Sequence, residues 1–402
     1  MDIPSAAQWS ASFDVNAATR AWLDTIAGAQ RLKSDAYFEG GYWLLLWNLL
    51  WNLGVAALLL SGRRSARLRN WTERVTPRLG LQTLLYAAVY LLLSWLLTLP
   101  LTIYQEYFRE RAYGLATQTF LPWFAEQCIS LVVTIVLVAP FIALLYWIVR
   151  RAGAIWWAWG GGLLALFTLL VIVIEPVFIA PLFNDYTPLP PGPTRDSILS
   201  LARANGIPAD NVYVVNASKQ TTRISANVAG ALGTTRIALN DNLLNETSLP
   251  EIRAVMAHEM GHYVLHHSWR NVVYFGVLGS LGLWLLQYGF DLLLPRLAAR
   301  TGVRDRTDIA GLPLAVALLS ILGLVATPVL NTVIRTAESE ADIFGLNAAR
   351  EPQGFAQAAM RLSAYRKLEP GRLEEALLFD HPSGRTRVHM AMQWLKENPP
   401  AP

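Results

Sequence analysis

The run Ser248-Leu249-Pro250-Glu251-Ile252-Arg253-Ala254-Val255-Met256-Ala257-His258-Glu259-Met260-Gly261-His262 reads as one helix that ends in a pair of metal ligands. At 3.6 residues per turn, His258 and His262 fall on one face, a turn apart. Two imidazoles so placed can reach one Zn²⁺ at about 2.0–2.1 Å. Glu259 projects to the neighbouring side, where it can take a proton from a water polarised by the ion. Ser248 and Glu251 have the spacing of a capping box, and Pro250 is tolerated in a first turn. Ile252, Val255, Met256 and Met260 supply an apolar stripe at helical spacing. The plainer reading of so short a pattern is a satisfied histidine pair on a core helix.

A catalytic zinc site usually needs a third protein ligand and keeps one position open. Arg335-Thr336-Ala337-Glu338-Ser339-Glu340-Ala341-Asp342 offers carboxylates on another predicted helix, directly after a run of Leu, Val and Ile. Glu338 and Asp342 are four apart and share a face. Asp342 suits the carboxylate to which a ligating histidine commonly donates its other N–H. The plainer reading is a solvated acidic face. Spacing alone does not choose between Glu338 and Glu340.

The whole chain has the composition of a membrane protein. It has 402 residues, 53% of them hydrophobic and only 15% charged, against about 25% charged in ordinary soluble domains. The mean hydropathy is +0.33. Fifteen tryptophans suit membrane interfaces. Runs near 41–61, 82–103, 128–149, 155–178, 271–294 and 309–331 are long enough to span about 30 Å of hydrocarbon. Pro100, Pro140 and Pro328 interrupt three of them, which neighbouring helices accommodate in bilayers. Residues 1–40 hold no long apolar run and no cleavable signal pattern. The single cysteine, Cys128, excludes an intrachain disulfide and reads as packing.

These features divide the chain into an N-terminal non-membrane segment (1–40), four transmembrane helices (41–180), a catalytic α+β region (181–270), two further transmembrane helices (271–331) and a C-terminal helical catalytic region (332–402). Within the α+β region, Arg195 to Ala204 predicts a helix and Val212 to Val215 a strand. Ile224 to Ala231 and Arg236 to Leu239 predict two more strands, with Gly230 and Gly233 at the turn between them. The two catalytic regions flank two spans, an even number, so they can meet on one side of the membrane.

HEMGH followed by E-x-x-A-D resembles the type I CAAX prenyl endopeptidase family, a group of membrane-embedded zinc proteases. Ala180-Pro181-Leu182-Phe183-Asn184-Asp185-Tyr186-Thr187-Pro188-Leu189, Glu110-Arg111-Ala112-Tyr113-Gly114-Leu115-Ala116-Thr117-Gln118-Thr119 and His381-Pro382 with Arg387 match further family elements in the same order. The resemblance runs from about residue 16 to about residue 395. Where that family has Ser before the arginine of its E-x-x-A-D helix, this chain has Ile334, which makes Arg335 the weaker match.

The resemblance implies a mainly α fold: a multi-span transmembrane helical barrel with a zincin-like α+β metalloprotease unit. It implies one Zn²⁺ held by His258, His262 and Glu338, with Asp342 behind them. It implies Glu259 as the catalytic acid/base, His381 and Arg387 as further catalytic groups, and Asn227 on the substrate-binding edge. The remaining histidines, His266, His267 and His389, read as structural.

The implied activity is zinc-dependent peptide-bond hydrolysis in the manner of CAAX-box processing. Its partners would be a peptide or protein substrate, lipidated in that family, and the lipid bilayer; the +4 charge calls for no nucleic acid. Quality control of membrane proteins, as in the related HtpX-type proteases, is the alternative. An intramembrane site-2 type protease would need an Asp in a later span, and 309–331 has none. A transporter or scaffold with a vestigial site would have lost a ligand or the base, and none is lost.

Arginines concentrate after the first span (Arg63, Arg64, Arg67, Arg69, Arg74, Arg78), the third (Arg150, Arg151) and the fifth (Arg296, Arg300, Arg304, Arg306). All three loops fall on one side, opposite the catalytic regions. Positive-inside reasoning then places the active site outside the cytoplasm, in a bacterial inner membrane. The eukaryotic family has a seventh span and a cytosolic site.

Overall fold

A computed structural model describes residues 1–230 and 235–400. The chain begins with helix α1 (Val15–Leu23), followed by α2 (Gly28–Leu60), α3 (Arg64–Val75), α4 (Leu79–Thr102), the short α5 (Arg109–Tyr113), α6 (Phe120–Arg151) and α7 (Trp156–Ile174). Strand β1 (Tyr186–Pro188), α8 (Pro193–Ala204), β2 (Val212–Val215), β3 (Ala226–Ala229) and β4 (Arg236–Asn240) come next. Then follow α9 (Asp241–Glu246), α10 (Leu249–Val264), α11 (His267–Thr301), α12 (Leu312–Ala349), α13 (Pro352–Leu362), α14 (Arg372–Leu378) and α15 (Gly384–Glu397).

Six of these elements, α2, α4, α6, α7, α11 and α12, are long and apolar enough to cross a membrane, and they coincide with the six apolar runs. They close into a ring in the order α2, α4, α6, α7, α11, α12 and back to α2. Their outer faces present bare hydrocarbon: Val325 is 73% exposed and Val277 64%. Surfaces of that kind are stable against lipid and not against water. The protein is therefore a multi-pass integral membrane protein, mainly α. The close approach of α7 to α11 needs Gly161, where a Cβ would meet Ser280 Oγ at 1.7 Å.

The helices outrun their apolar windows. α2 starts at Gly28, thirteen residues before the expected span, because its polar first turns are tied to the catalytic region. Arg31 pairs with Glu369, Lys367 Nζ lies 2.6 Å from Glu39, and Tyr42 donates to Glu374 at 2.8 Å. α12 is likewise one 38-residue helix that carries both the last span and the Glu338 segment. The boundaries drawn at 40/41 and 331/332 thus fall inside continuous helices.

The two ends of the ring differ. At one end the three arginine-rich loops assemble: Arg69 pairs with Asp308, Arg304 Nη1 lies 2.8 Å from Glu73, and Arg150 donates to the Thr307 carbonyl at 3.3 Å. At the other end sits the α+β unit. There α1 packs with α13 and α15 around Trp22, Phe355, Met360 and Met392.

The sheet has the order β1-β2-β4-β3. β2 runs parallel to β4, while β1 pairs antiparallel with β2 and β3 antiparallel with β4, so β3 forms an edge of the sheet. β2, β4 and the predicted helix at 195–204 match expectation, and β3 is shorter. Ala231 and Gly233 lie outside the described residues. β1 adds a strand that was not expected.

Candidate active site

Residue Ser248 starts α10 as its sequence indicates: its backbone N–H and hydroxyl both donate to Glu251 at 2.8 Å. Glu251 is buried and also pairs with Arg361 of α13, which fixes the start of the helix to its neighbour. α10 then lies against α12 through small residues. A Cβ on Gly345 would stand 3.0 Å from the His258 nitrogen, and one on Gly261 3.2 Å from the Ala341 Cα. This close crossing brings the carboxylates of α12 to the histidines of α10.

Three ligand-type atoms converge there. His258 Nε2 and His262 Nε2 are 3.1 Å apart, and each lies 3.3 Å from a Glu338 oxygen. A four-coordinate site with bonds of roughly 2.0–2.1 Å places neighbouring ligand atoms roughly 3.3–3.4 Å from each other. The far sides of both rings are engaged. His258 Nδ1 is 2.8 Å from Asp342 Oδ1, and His262 Nδ1 is 2.8 Å from His267 Nδ1. With those Nδ1 positions protonated, both Nε2 lone pairs point toward the Glu338 carboxylate. Three lone-pair donors at van der Waals contact repel one another unless a cation lies among them. The residues therefore fit a divalent metal, and Asp342 and His267 orient the rings.

Residue Glu340, the equal of Glu338 by spacing, points elsewhere. It accepts from His267 Nε2 at 3.0 Å and from Arg270 at 2.7 Å. His267, buried at the start of α11, thus bridges His262 to Glu340. Sequence reasoning took it as structural. It follows a break at His266, whose φ of 55° ends the register of α10, so helical spacing could not link it to His262.

Residue Arg387 of α15 is buried and spans two carboxylates, donating from Nε to Asp342 at 2.8 Å and from Nη2 to Glu338 at 3.0 Å. Burial disfavours its charge, but Asp342 and Glu338 outweigh that and hold its pKa above the usual range. His381 Nε2 is 3.4 Å from Glu338 Oε2, and its Nδ1 is 2.8 Å from Asp380. The His381 loop is anchored by Arg335, which donates to the Glu375 carbonyl at 3.0 Å and to that of Phe379.

Glu259 faces an open cleft of about 240 Å³ that is also lined by His258, His262, Glu338, His381 and Arg366. Among the described residues Glu259 makes no hydrogen bond. Burial pushes its carboxyl above the usual range, against the pull of His258 and His262. Ile224, Ser225 and Ala226 form one wall of the cleft, leading into edge strand β3. Asn227 stands in that strand opposite Ala238 and does not line the cleft; its buried Oδ1 lacks a partner among the described residues. The Glu110–Thr119 loop docks onto the same segment. Thr222 N–H donates to the Leu115 carbonyl at 3.1 Å, and Arg223 lies 2.5 Å from Glu110.

A histidine-histidine-glutamate cluster with a free carboxylate beside it, at the mouth of a ring of membrane helices, defines a membrane-embedded metalloprotease. Comparison with known proteins agrees. The family model described as CAAX prenyl protease N-terminal, five membrane helices, matches residues 19–185, and that of peptidase family M48 matches residues 192–395. The uncharacterized metalloprotease YhfN of Bacillus subtilis is 34% identical over 350 residues, 85% of this chain and 80% of that protein. The CAAX prenyl protease 1 homolog of Dictyostelium discoideum is 33% identical over 62% of this chain and 58% of its own length. The crystal structure of S. mikatae Ste24p matches with a TM-score of 0.65 at 25% identity, covering 77% of this chain and 75% of that one. The chain belongs to peptidase family M48: it is an enzyme that hydrolyses peptide or protein substrates, depends on a metal and resembles the CAAX prenyl proteases.

Proposed function

We propose that the metal is a single Zn²⁺ held by His258, His262 and Glu338, and that Glu259 is the acid/base of the reaction. The observation that carries this reading is the cluster of ligand atoms, the two Nε2 atoms 3.1 Å apart and each 3.3 Å from a different Glu338 oxygen, with Glu259 next to it. When bound, zinc acidifies water and polarises a carbonyl oxygen. Glu259 takes the proton of the attacking water and returns it to the leaving amine. Its raised pKa suits the first step, since it makes the carboxylate a stronger base toward that water. Asp342 and Arg387 hold Glu338 and His258 in place, and His267 with Glu340 does the same for His262. His381 is a further donor at the cleft, placed to support the carbonyl oxygen as negative charge develops. The free edge of β3, the strand that carries Asn227, aligns an extended substrate by main-chain hydrogen bonds.

For the substrate we propose a lipidated peptide. A second cavity of about 480 Å³ adjoins His262 and opens among Leu169, Ile172, Val228, Trp269 and Val272, where α7, α11 and β3 meet. Its apolar walls suit an isoprenoid chain, and the likeness to the Dictyostelium CAAX prenyl protease homolog points the same way. The test is a paired panel of farnesylated and unmodified peptides given to detergent-purified protein and read by mass spectrometry. Preference for the farnesylated set supports this substrate; equal cleavage supports membrane-protein quality control.

We further propose that the catalytic end faces away from the cytoplasm of a bacterial inner membrane, because the arginine-rich loops gather at the opposite end. Labelling of an Arg372→Cys variant by an impermeant maleimide in intact cells tests this. Absence of labelling until the cells are broken would reverse the orientation.

A further inference from the structure

Among the described residues, every basic side chain lining the catalytic cleft has a carboxylate within ion-pair distance except one. Arg387 holds Asp342 and Glu338, His258 and His262 face Glu338, and His381 has Asp380. Just outside, Arg223 holds Glu110, and Lys367 holds Glu39 and Glu374. Arg366 lines the cleft in the turn between α13 and α14, and among the described residues no carboxylate lies within 4.0 Å of it. Its Nη1 is sealed from solvent and has no hydrogen-bond partner among the described residues. Burial and the nearby Arg387 both weigh against its charge. Asp380 and Glu338 favour its charge only from beyond ion-pair distance, and an arginine stays protonated, so the cleft holds a guanidinium with no direct carboxylate partner.

Such a group gains from an incoming anion, because a partly buried charge with no direct partner recovers lost solvation through one. We infer that Arg366 is a specificity residue that binds a carboxylate of the substrate. The planar guanidinium suits bidentate pairing with a carboxylate. The group it takes is either the α-carboxylate of a cleavage site near a C-terminus or an acidic side chain close to the scissile bond. The inference rests on the cleft being the peptide-binding site, as proposed above.

The test separates the two readings by measuring binding apart from cleavage. A Glu259→Gln protein is titrated with a fluorescent farnesylated peptide bearing one internal Glu, followed by anisotropy. Matched peptides carry a C-terminal amide, Gln in place of Glu, or both changes. Neutralising the carboxylate that Arg366 reads is expected to weaken binding about ten- to a hundredfold, the range of a charge-assisted hydrogen bond. Which single change does so identifies the source. Introducing Arg366→Leu should weaken binding of the charged peptide by a similar factor and leave the doubly neutral peptide unchanged. Arg366→Lys should restore part of the discrimination, which distinguishes charge recognition from packing. Equal affinity for charged and neutral peptides, an equal loss on all of them in Arg366→Leu, or no binding at all would overturn the inference. Wild-type cleavage of the same peptides reports on the protease reading separately. Binding without cleavage would leave Arg366 assigned and refute the proposed chemistry.

Discussion

His262 and His267 face each other through their Nδ1 atoms at 2.8 Å, and the far side of His267 meets Glu340 at 3.0 Å. The direction of the chain follows from its ends. Arg270 keeps Glu340 a carboxylate, so His267 Nε2 donates to it and His267 Nδ1 accepts from His262. His262 Nε2 is thereby left with its lone pair toward Glu338. The His258 ring reaches the same state with one carboxylate, Asp342.

If that chain orients His262, breaking it lowers metal affinity before it affects the fold. His267→Ala and Glu340→Gln should each weaken zinc binding about 10- to 100-fold, the usual effect of losing a group that orients a metal ligand. A chelator competition titration measures this. Unchanged affinity with unchanged melting temperature would mean that His267 only fills space.

Replacing Arg387 tests the pair of carboxylates behind the site. Arg387→Met leaves Glu338 and Asp342 close together without their shared cation, at a cost of about 3–5 kcal/mol where a buried pair is broken. The melting temperature in detergent should fall markedly, and Arg387→Lys should recover part of it. An unaltered melting temperature would show that the carboxylates are compensated in some other way.

The crossing of α10 and α12 tolerates no side chain at Gly345, because the atoms that a Cβ would meet are the His258 backbone at 3.0–3.1 Å. Gly345→Val should separate the helices, cost about 1–3 kcal/mol through overpacking and reduce zinc content. Normal zinc stoichiometry in the purified variant would contradict the close packing.

Acid sensitivity at the start of α10 can be isolated at Glu251. Burial raises its pKa, but Arg361 and the Ser248 donors outweigh this, so the folded value lies below the ordinary 4.5. A depressed folded pKa adds stability that is fully present above the unfolded value and is lost as pH falls through the folded one. The melting-temperature difference between wild type and Glu251→Gln should therefore be constant at neutral pH and shrink below about pH 4.5. A difference that does not change with pH would assign the effect to packing.

Much of this site was legible because local rules set it. The capping box, the i, i+4 histidines and the six apolar runs depend on neighbours in sequence. Glu338 and Glu340 could not be separated that way, since the choice depends on which face of α12 meets α10. A signal was present nonetheless: Ala341 and Gly345 lie three and seven residues after Glu338, a small-residue stripe on its face. His267 was hidden by the break at His266, and β1 by its three-residue length and its proline. The parallel pairing of β2 with β4 was equally unreadable, because β3 lies between them in sequence. Helix lengths were underestimated at both ends of the chain, where charged turns are stabilised by distant partners such as Glu369 and Lys367.

The most direct test measures zinc content and peptide cleavage together, in wild type, Glu259→Gln and His262→Ala purified in detergent. Wild type should carry about one zinc per chain and cleave. Glu259→Gln should keep the zinc and lose roughly 10²–10⁴-fold in rate, the usual contribution of a positioned acid/base. His262→Ala should lose both. Full cleavage by Glu259→Gln, or full zinc occupancy in His262→Ala, would contradict the account.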